Sequence, residues 1–136
     1  MFRGYLLNEV ASGLVRSHNL LAINSATLIT RACYERMRPL YDERLSFYGT
    51  DTEFFVRYEE FYSQLYVFDS KIDHSLSADS KESPDRMLFR WRDNIRAMDV
   101  IFERTSFFFK LAMHAYYLLM KVKLAVQFRD KRFLKI

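Results

Sequence analysis

Between residues 50 and 62 the aromatic side chains Phe54, Phe55, Tyr58 and Phe61 with Tyr62 fall at three- and four-residue steps. That is the period of one helix face turned toward a core. Thr50-x-x-Glu53 ahead of it has the form of a capping box, in which the hydroxyl and the carboxylate each take a backbone donor. The pattern predicts a helix over 51–63. Residues 2–30 read as mostly strand-like, most strongly over 20–29, an apolar run with small residues in its middle. Thr30 is placed to cap a short helix through Met37, which Pro39 ends, and 40–49 is then a loop. Leu65, Tyr66, Val67 and Phe68, followed by Ser70, Lys71 and Ile72, form a short strand that ends at Asp73 and His74.

Past a polar stretch over 75–83, Ser83-Pro84-Asp85 carries a helix-start signal: a serine cap, a proline at the first position and an acid in the first turn. No proline or glycine interrupts the chain from there to Phe128, which predicts one long helix or two joined by a bend. In a continuous helix Asp99, Glu103, Ser106, Lys110, His114, Tyr117 and Lys121 would form one narrow polar stripe, with most of the remaining surface over 101–126 apolar. The apolar run over 111–120 falls short of the roughly 20 residues a bilayer span requires. Three readings of this helix stand: packing on the rest of a larger enzyme, self-association, or lying in a membrane interface with Lys and Arg reaching the head groups.

Composition narrows the class. Half the residues are hydrophobic and 17% aromatic, so the chain folds or binds something apolar and is not a disordered linker. Three Gly and two Pro argue against a loop-rich β-sandwich. Cys33 is the single cysteine, which excludes a disulfide framework and suits a reducing cytoplasm. The net charge of +4 is concentrated at the end, where Lys121, Lys123, Arg129, Lys131, Arg132 and Lys135 face Asp130. A basic tail beside an apolar helix reads as affinity for a membrane surface or a polyanion. No nucleic-acid motif accompanies it, so no nucleic-acid partner is expected. The first residues lack the sustained apolar core and cleavage site of a signal peptide.

Asp51 is the best-placed candidate for acid–base chemistry, because the helix dipole keeps a first-turn carboxylate ionised and Gly49 lets backbone approach a ligand. An acid there is also a common structural choice. Glu53 is accounted for by the capping box, with a secondary part in orienting an acceptor. His74, after a strand, could ligate a metal or contact a phosphate, or be a hydrogen-bonded structural residue. Asp73, His18, His114 and Cys33 have no context that singles them out.

Taken in order, Asn24-Ser25-Ala26-Thr27-Leu28-Ile29, Tyr41-Asp42-Glu43-Arg44-Leu45, Gly49-Thr50-Asp51-Thr52-Glu53-Phe54 and Asp73-His74 resemble the second half of a family 2 glycosyltransferase. The likeness is to bacterial rhamnosyltransferase-like and polysaccharide-assembly members, and Arg90-Trp91-Arg92-Asp93-Asn94 is similar to an element that follows their catalytic domain. The resemblance implies an α/β chain: the C-terminal part of a GT-A fold with few strands and short helices, then a long amphipathic helix. It divides the chain into an acceptor-side part over 1–77, a polar loop over 78–83 and a helical extension with a basic tail over 84–136. It implies an inverting sugar transfer from a nucleotide sugar to a glycan or lipid-linked acceptor. Asp51 would be the base, with Glu53 beside it. His74 would hold the divalent metal (Mg²⁺ or Mn²⁺) or the diphosphate, and Asn24 and Ser25 would form part of the donor or acceptor wall. The nucleotide-binding half is expected on another chain or upstream, and the isolated piece is expected to be inactive. The expected location is the cytoplasm, at the inner face of the cell membrane. The alternative is a non-catalytic helical module that binds a membrane surface or a partner protein.

Overall fold

The computed structural model describes residues 11–23, 26–70 and 83–136, and they form a small α/β chain with one two-stranded sheet and several helices. In order these are β1 (Gly13–Arg16), α1 (Arg31–Arg36), α2 (Thr50–Phe61), β2 (Gln64–Val67), α3 (Pro84–Ile101), α4 (Phe107–Phe128) and a terminal 3₁₀ helix (Lys131–Lys135). Contacts divide the chain into two compact units, Met1–Leu45 with Gly49–His74 and Ser46–Tyr48 with Ser75–Ile136.

In the first unit β1 pairs antiparallel with β2, Gly13 opposite Val67 and Arg16 opposite Gln64. Ser17 extends the pairing: its amide donates to the Ser63 carbonyl at 3.0 Å and its buried hydroxyl to the Tyr62 carbonyl at 2.6 Å. The strand therefore lies at Gly13–Arg16 and not over 20–29, where no strand forms among the described residues. The apolar run there is used for packing: Leu20 and Leu21 are buried, and Ala22 and Ile29 pack on the core. A hydrophobic run carries no information about whether its backbone finds a ladder partner, and in this one, among the described residues, Leu20 makes an isolated bridge with no strand after it. Asn24 and Ser25 lie outside the described residues.

α1 starts where its cap predicts, the Thr30 hydroxyl accepting from the Cys33 amide at 3.2 Å, and its C-cap is Met37. The core of this unit joins Leu21, Cys33, Met37, Phe54 and Phe55, with Tyr58, Phe61, Tyr62 and Leu65 packed against it. The aromatic face of α2 is thus the buried one. Phe54 and Phe55 meet edge to face at 5.1 Å between centroids, a geometry that aligns the ring edge with the neighbour's π face. β2 covers Gln64–Val67 and ends there: Phe68 to Ser70 are not strand, with a bend at Asp69, so the predicted strand is shorter than expected, while 71–74 and most of the polar stretch over 75–83 lie outside the described residues.

The second unit is helical. Ser83 caps α3, its hydroxyl accepting from the Arg86 amide at 3.3 Å, with Pro84 first in the helix. Of the two expected forms, one long helix or two joined by a bend, the second holds: α3 stops at Ile101 and α4 restarts at Phe107. Thr105 folds back on the Phe102 carbonyl through both its amide and its hydroxyl, and the Ser106 hydroxyl caps the new helix through the Phe109 amide. Short hydroxyl side chains compete for backbone groups, which makes Thr105-Ser106 a breaker without glycine or proline. The polar stripe is broken accordingly, and Tyr117 is buried at 6% exposure instead of lying on a solvated face. α4 ends at Arg129, which holds a left-handed φ of 51° without being glycine. Phe133 of the 3₁₀ helix is fully buried and stacks on Phe128 at 5.3 Å. No described helix is long and apolar enough to cross a membrane.

Candidate functional site

The start of α2 carries the chemistry the sequence points to. Its N-cap is Gly49 at φ 84°, a conformation that suits a residue without Cβ. The capping box is not formed: Thr50 lies within the helix, and the Glu53 carboxylate turns to Arg57 instead. Arg57 Nε donates to Glu53 Oε1 at 2.8 Å and Nη2 to Oε2 at 3.3 Å. The same guanidinium donates to the carbonyls of Met37 at 2.8 Å and Leu40 at 2.6 Å, and to that of Pro39. Arg57 therefore fastens the loop after α1 to α2, and Glu53, almost wholly buried, balances its charge. The fixed fork of arginine suits this work, since several acceptors lie in one plane around it.

Asp51 is half-buried in the first turn of α2. Tyr41 lies close to both acids: burial pushes its phenol up, and the Asp51 and Glu53 charges push it further. The Asp42-Glu43 loop before it is a self-contained turn. Arg44 binds Asp42 through side chain and backbone, and these hydrogen bonds hold the Asp42 carboxyl down at about 2. Asp51 lines neither the cavity beside Arg16 and His18, nor the apolar one over Phe54 and Phe55, nor the one beside Asp99 and His114. Asn24, Ser25 and His74, to which donor, acceptor and metal contacts were assigned, lie outside the described residues. Asp51 and Glu53 by themselves do not make a metal site, because an arginine cation already takes both Glu53 oxygens.

Two cavities lie among the described residues of the first unit. One, of about 500 Å³, is polar and open, with Arg16, His18, Glu59 and Glu60 in its walls. His18 meets Glu59 there at 3.2 Å, and the Asn19 amide donates to the same carboxylate at 2.9 Å. The other, of about 560 Å³, is lined by Leu20, Ile23, Ile29, Phe54, Phe55 and Leu65 among others, with Cys33 in its wall. Burial pushes the Cys33 thiol up, away from nucleophilic use.

In the second unit Asp93 is a buried acid with a clear occupation. The Ser46 hydroxyl and the Tyr48 amide, the latter at 2.8 Å, donate to its two oxygens. Burial pushes the carboxyl up, but hydrogen bonds from Ser46 and from the Tyr48 and Phe47 amides outweigh it and leave it below its ordinary value. Arg90 Nε donates to the Tyr48 hydroxyl at 3.0 Å. The Arg90–Asn94 stretch is thus used for holding residues 46–48. A third cavity, of about 220 Å³, lies by the turn between α3 and α4, where His114 stands 4.0 Å from Asp99.

No family model, curated protein or solved structure matches this chain.

The largest feature outside these cavities is a surface. α4 turns Tyr117 and Leu124 inward, and on its opposite side Phe108, Leu111, Leu118, Leu119, Val122 and Val126 stand exposed, Phe108 by 80% and Val126 by 72%. Phe108, Leu111, Ala115, Leu118 and Val122 follow one another at alternating three- and four-residue steps, which places them in one stripe. Lys123 stands one turn beyond Leu119 at its edge, and Arg129, Lys131 and Lys135 follow, all exposed. The signal was legible as an apolar surface over 101–126. Which half of it is covered by the chain itself was not.

Proposed function

We propose that this chain is a non-catalytic module that binds an anionic membrane surface through α4 and the basic segment after it. The observation that carries the reading is the exposed apolar stripe of α4, a contiguous patch of the kind that marks an interaction surface. Its charge selects the partner. From residue 107 onward Asp130 is the single acid, against Lys110, Lys121, Lys123, Arg129, Lys131, Arg132 and Lys135, an excess larger than the net +4 of the whole chain. Two copies docked through this segment would bring like charges together, whereas anionic head groups attract each nearby Lys or Arg by about 1 kcal/mol. The apolar side chains enter the head-group boundary while the lysines reach back to phosphate. The test is sedimentation with sucrose-loaded vesicles. The chain should pellet with phosphatidylglycerol vesicles, less so with phosphatidylcholine, and Leu118→Glu with Leu119→Glu should release it. Failure to pellet with phosphatidylglycerol at low salt removes the reading; a concentration-dependent dimer in its place makes the stripe a self-association face.

A second reading keeps the resemblance to family 2 glycosyltransferases and rests on Asp51, a half-buried acid in the turn that follows the left-handed Gly49. In it the chain is the acceptor half of an inverting GT-A transferase. Asp51 takes the proton of an acceptor hydroxyl, and a nucleotide sugar and divalent metal are held mainly by a half outside this chain. Arg57 withdraws Glu53 from that work. In an enzyme reconstituted with its nucleotide-binding half, Asp51→Asn should abolish sugar transfer while sparing donor binding; unchanged turnover removes Asp51 as the base.

A further inference from the structure

We propose that the apolar cavity of the first unit binds a neutral, single-chain hydrocarbon ligand, of which a fatty alcohol is the simplest example. Its volume of about 560 Å³ lies within the roughly 300–1,000 Å³ usual for small-molecule sites. Its lining includes the buried pair Phe54 and Phe55, residues within 20–23 and 26–30, and β2. Its described lining carries five hydroxyls, on Thr27, Thr30, Tyr58, Tyr66 and Ser70, and the first three are already committed. Thr27 donates to the Ile23 carbonyl at 2.9 Å, Thr30 accepts from the Cys33 amide at 3.2 Å, and Tyr58 donates to the Gln64 carbonyl at 2.9 Å. No Asp, Glu, Lys, Arg or His is among the described residues lining it. Water in such a space finds few partners, and an apolar cavity of this kind favours a hydrocarbon occupant. The opening is apolar too: Leu28 and Phe68 line it at 83% and 60% exposure. A carboxylate head group would meet no cation among the described residues lining it, which favours a neutral ligand over a fatty acid. A flexible chain fits better than a polar ring system, because shape and burial are the means of recognition the walls offer.

The experiment uses the full chain and the neutral dye Nile red. Dye fluorescence should saturate and be displaced by dodecanol, with dodecanoate weaker by about tenfold or more, equivalent to about 1.4 kcal/mol. Ala26→Trp and Leu28→Glu alter exposed lining positions and should each weaken dodecanol with the circular dichroism spectrum unchanged, while Leu28→Lys should bring dodecanoate binding up. Cys33 opens on the cavity, so saturating dodecanol should slow its alkylation by N-ethylmaleimide. The α4 variant Leu118→Glu with Leu119→Glu should leave all of these readings in place, which separates this site from the membrane-binding stripe. The proposal is overturned by an absence of saturable binding or by loss of dye binding in the α4 variant. It is equally overturned by indifference to both lining variants, or by Cys33 alkylation that dodecanol does not slow.

Discussion

α2 and α4 are both helices rich in large apolar side chains, and the chain treats them differently. α2 has 12 residues and buries Glu53, Phe54 and Phe55, with Tyr58, Phe61 and Tyr62 packed around them. α4 has 22 residues and buries Tyr117 and Leu124, leaving a full apolar stripe in the open. The first helix has its second layer supplied by α1, the 20–30 segment and β2. The second helix has a covered side and an uncovered one. An apolar helix face reports a need for cover, and whether that cover is this chain or another phase is a property of the whole fold.

Substitutions at corresponding depths sharpen the contrast. Phe54→Ala should be the most damaging, costing about 3–5 kcal/mol through lost burial and a residual cavity, read as a lowered midpoint in urea. Arg57→Ala comes next at about 2–3 kcal/mol, since it strands three carbonyls and the buried Glu53 carboxylate.

The second unit has its own polar anchor, and acid should probe it. Asp93 sits below its ordinary value, so its contribution is present above the usual carboxylate range and is lost as pH falls through the depressed value. Near-ultraviolet dichroism should therefore weaken below about pH 4, and the same loss should appear at neutral pH in Asp93→Asn. Ser106→Ala should cost about 1 kcal/mol by uncapping α4. Leu118→Glu in the exposed stripe should change stability by no more than about 0.5 kcal/mol while removing vesicle binding. A large stability loss at Leu118 would mean that the two helices do not differ as described.

Local signals in the sequence transferred well where the deciding partner is close along the chain. The Thr30 and Ser83 caps, the loop after Pro39 and the aromatic face of α2 depend on neighbours within a turn or two. The strand over 20–29 failed because pairing is decided by a remote partner, and β1 found it in β2 instead. The capping box failed for a related reason: Arg57, one turn along, offers Glu53 a charge that the backbone donors cannot match. Of the candidate site, Asp51 stands where the pattern put it, in the first turn of α2. The Glu59 partner of His18 and the Ser46 and Tyr48 donors to Asp93 are separated from them by 40 residues or more, and no local spacing announces such pairs.

Arg129 holds a left-handed backbone that glycine would occupy without a Cβ clash. Exchanging it for glycine should therefore raise the melting temperature while taking a cation from the end of α4. A residue that folds less comfortably than its simplest replacement directs attention to its side chain: the exposed guanidinium at the end of α4 is the reason to look there.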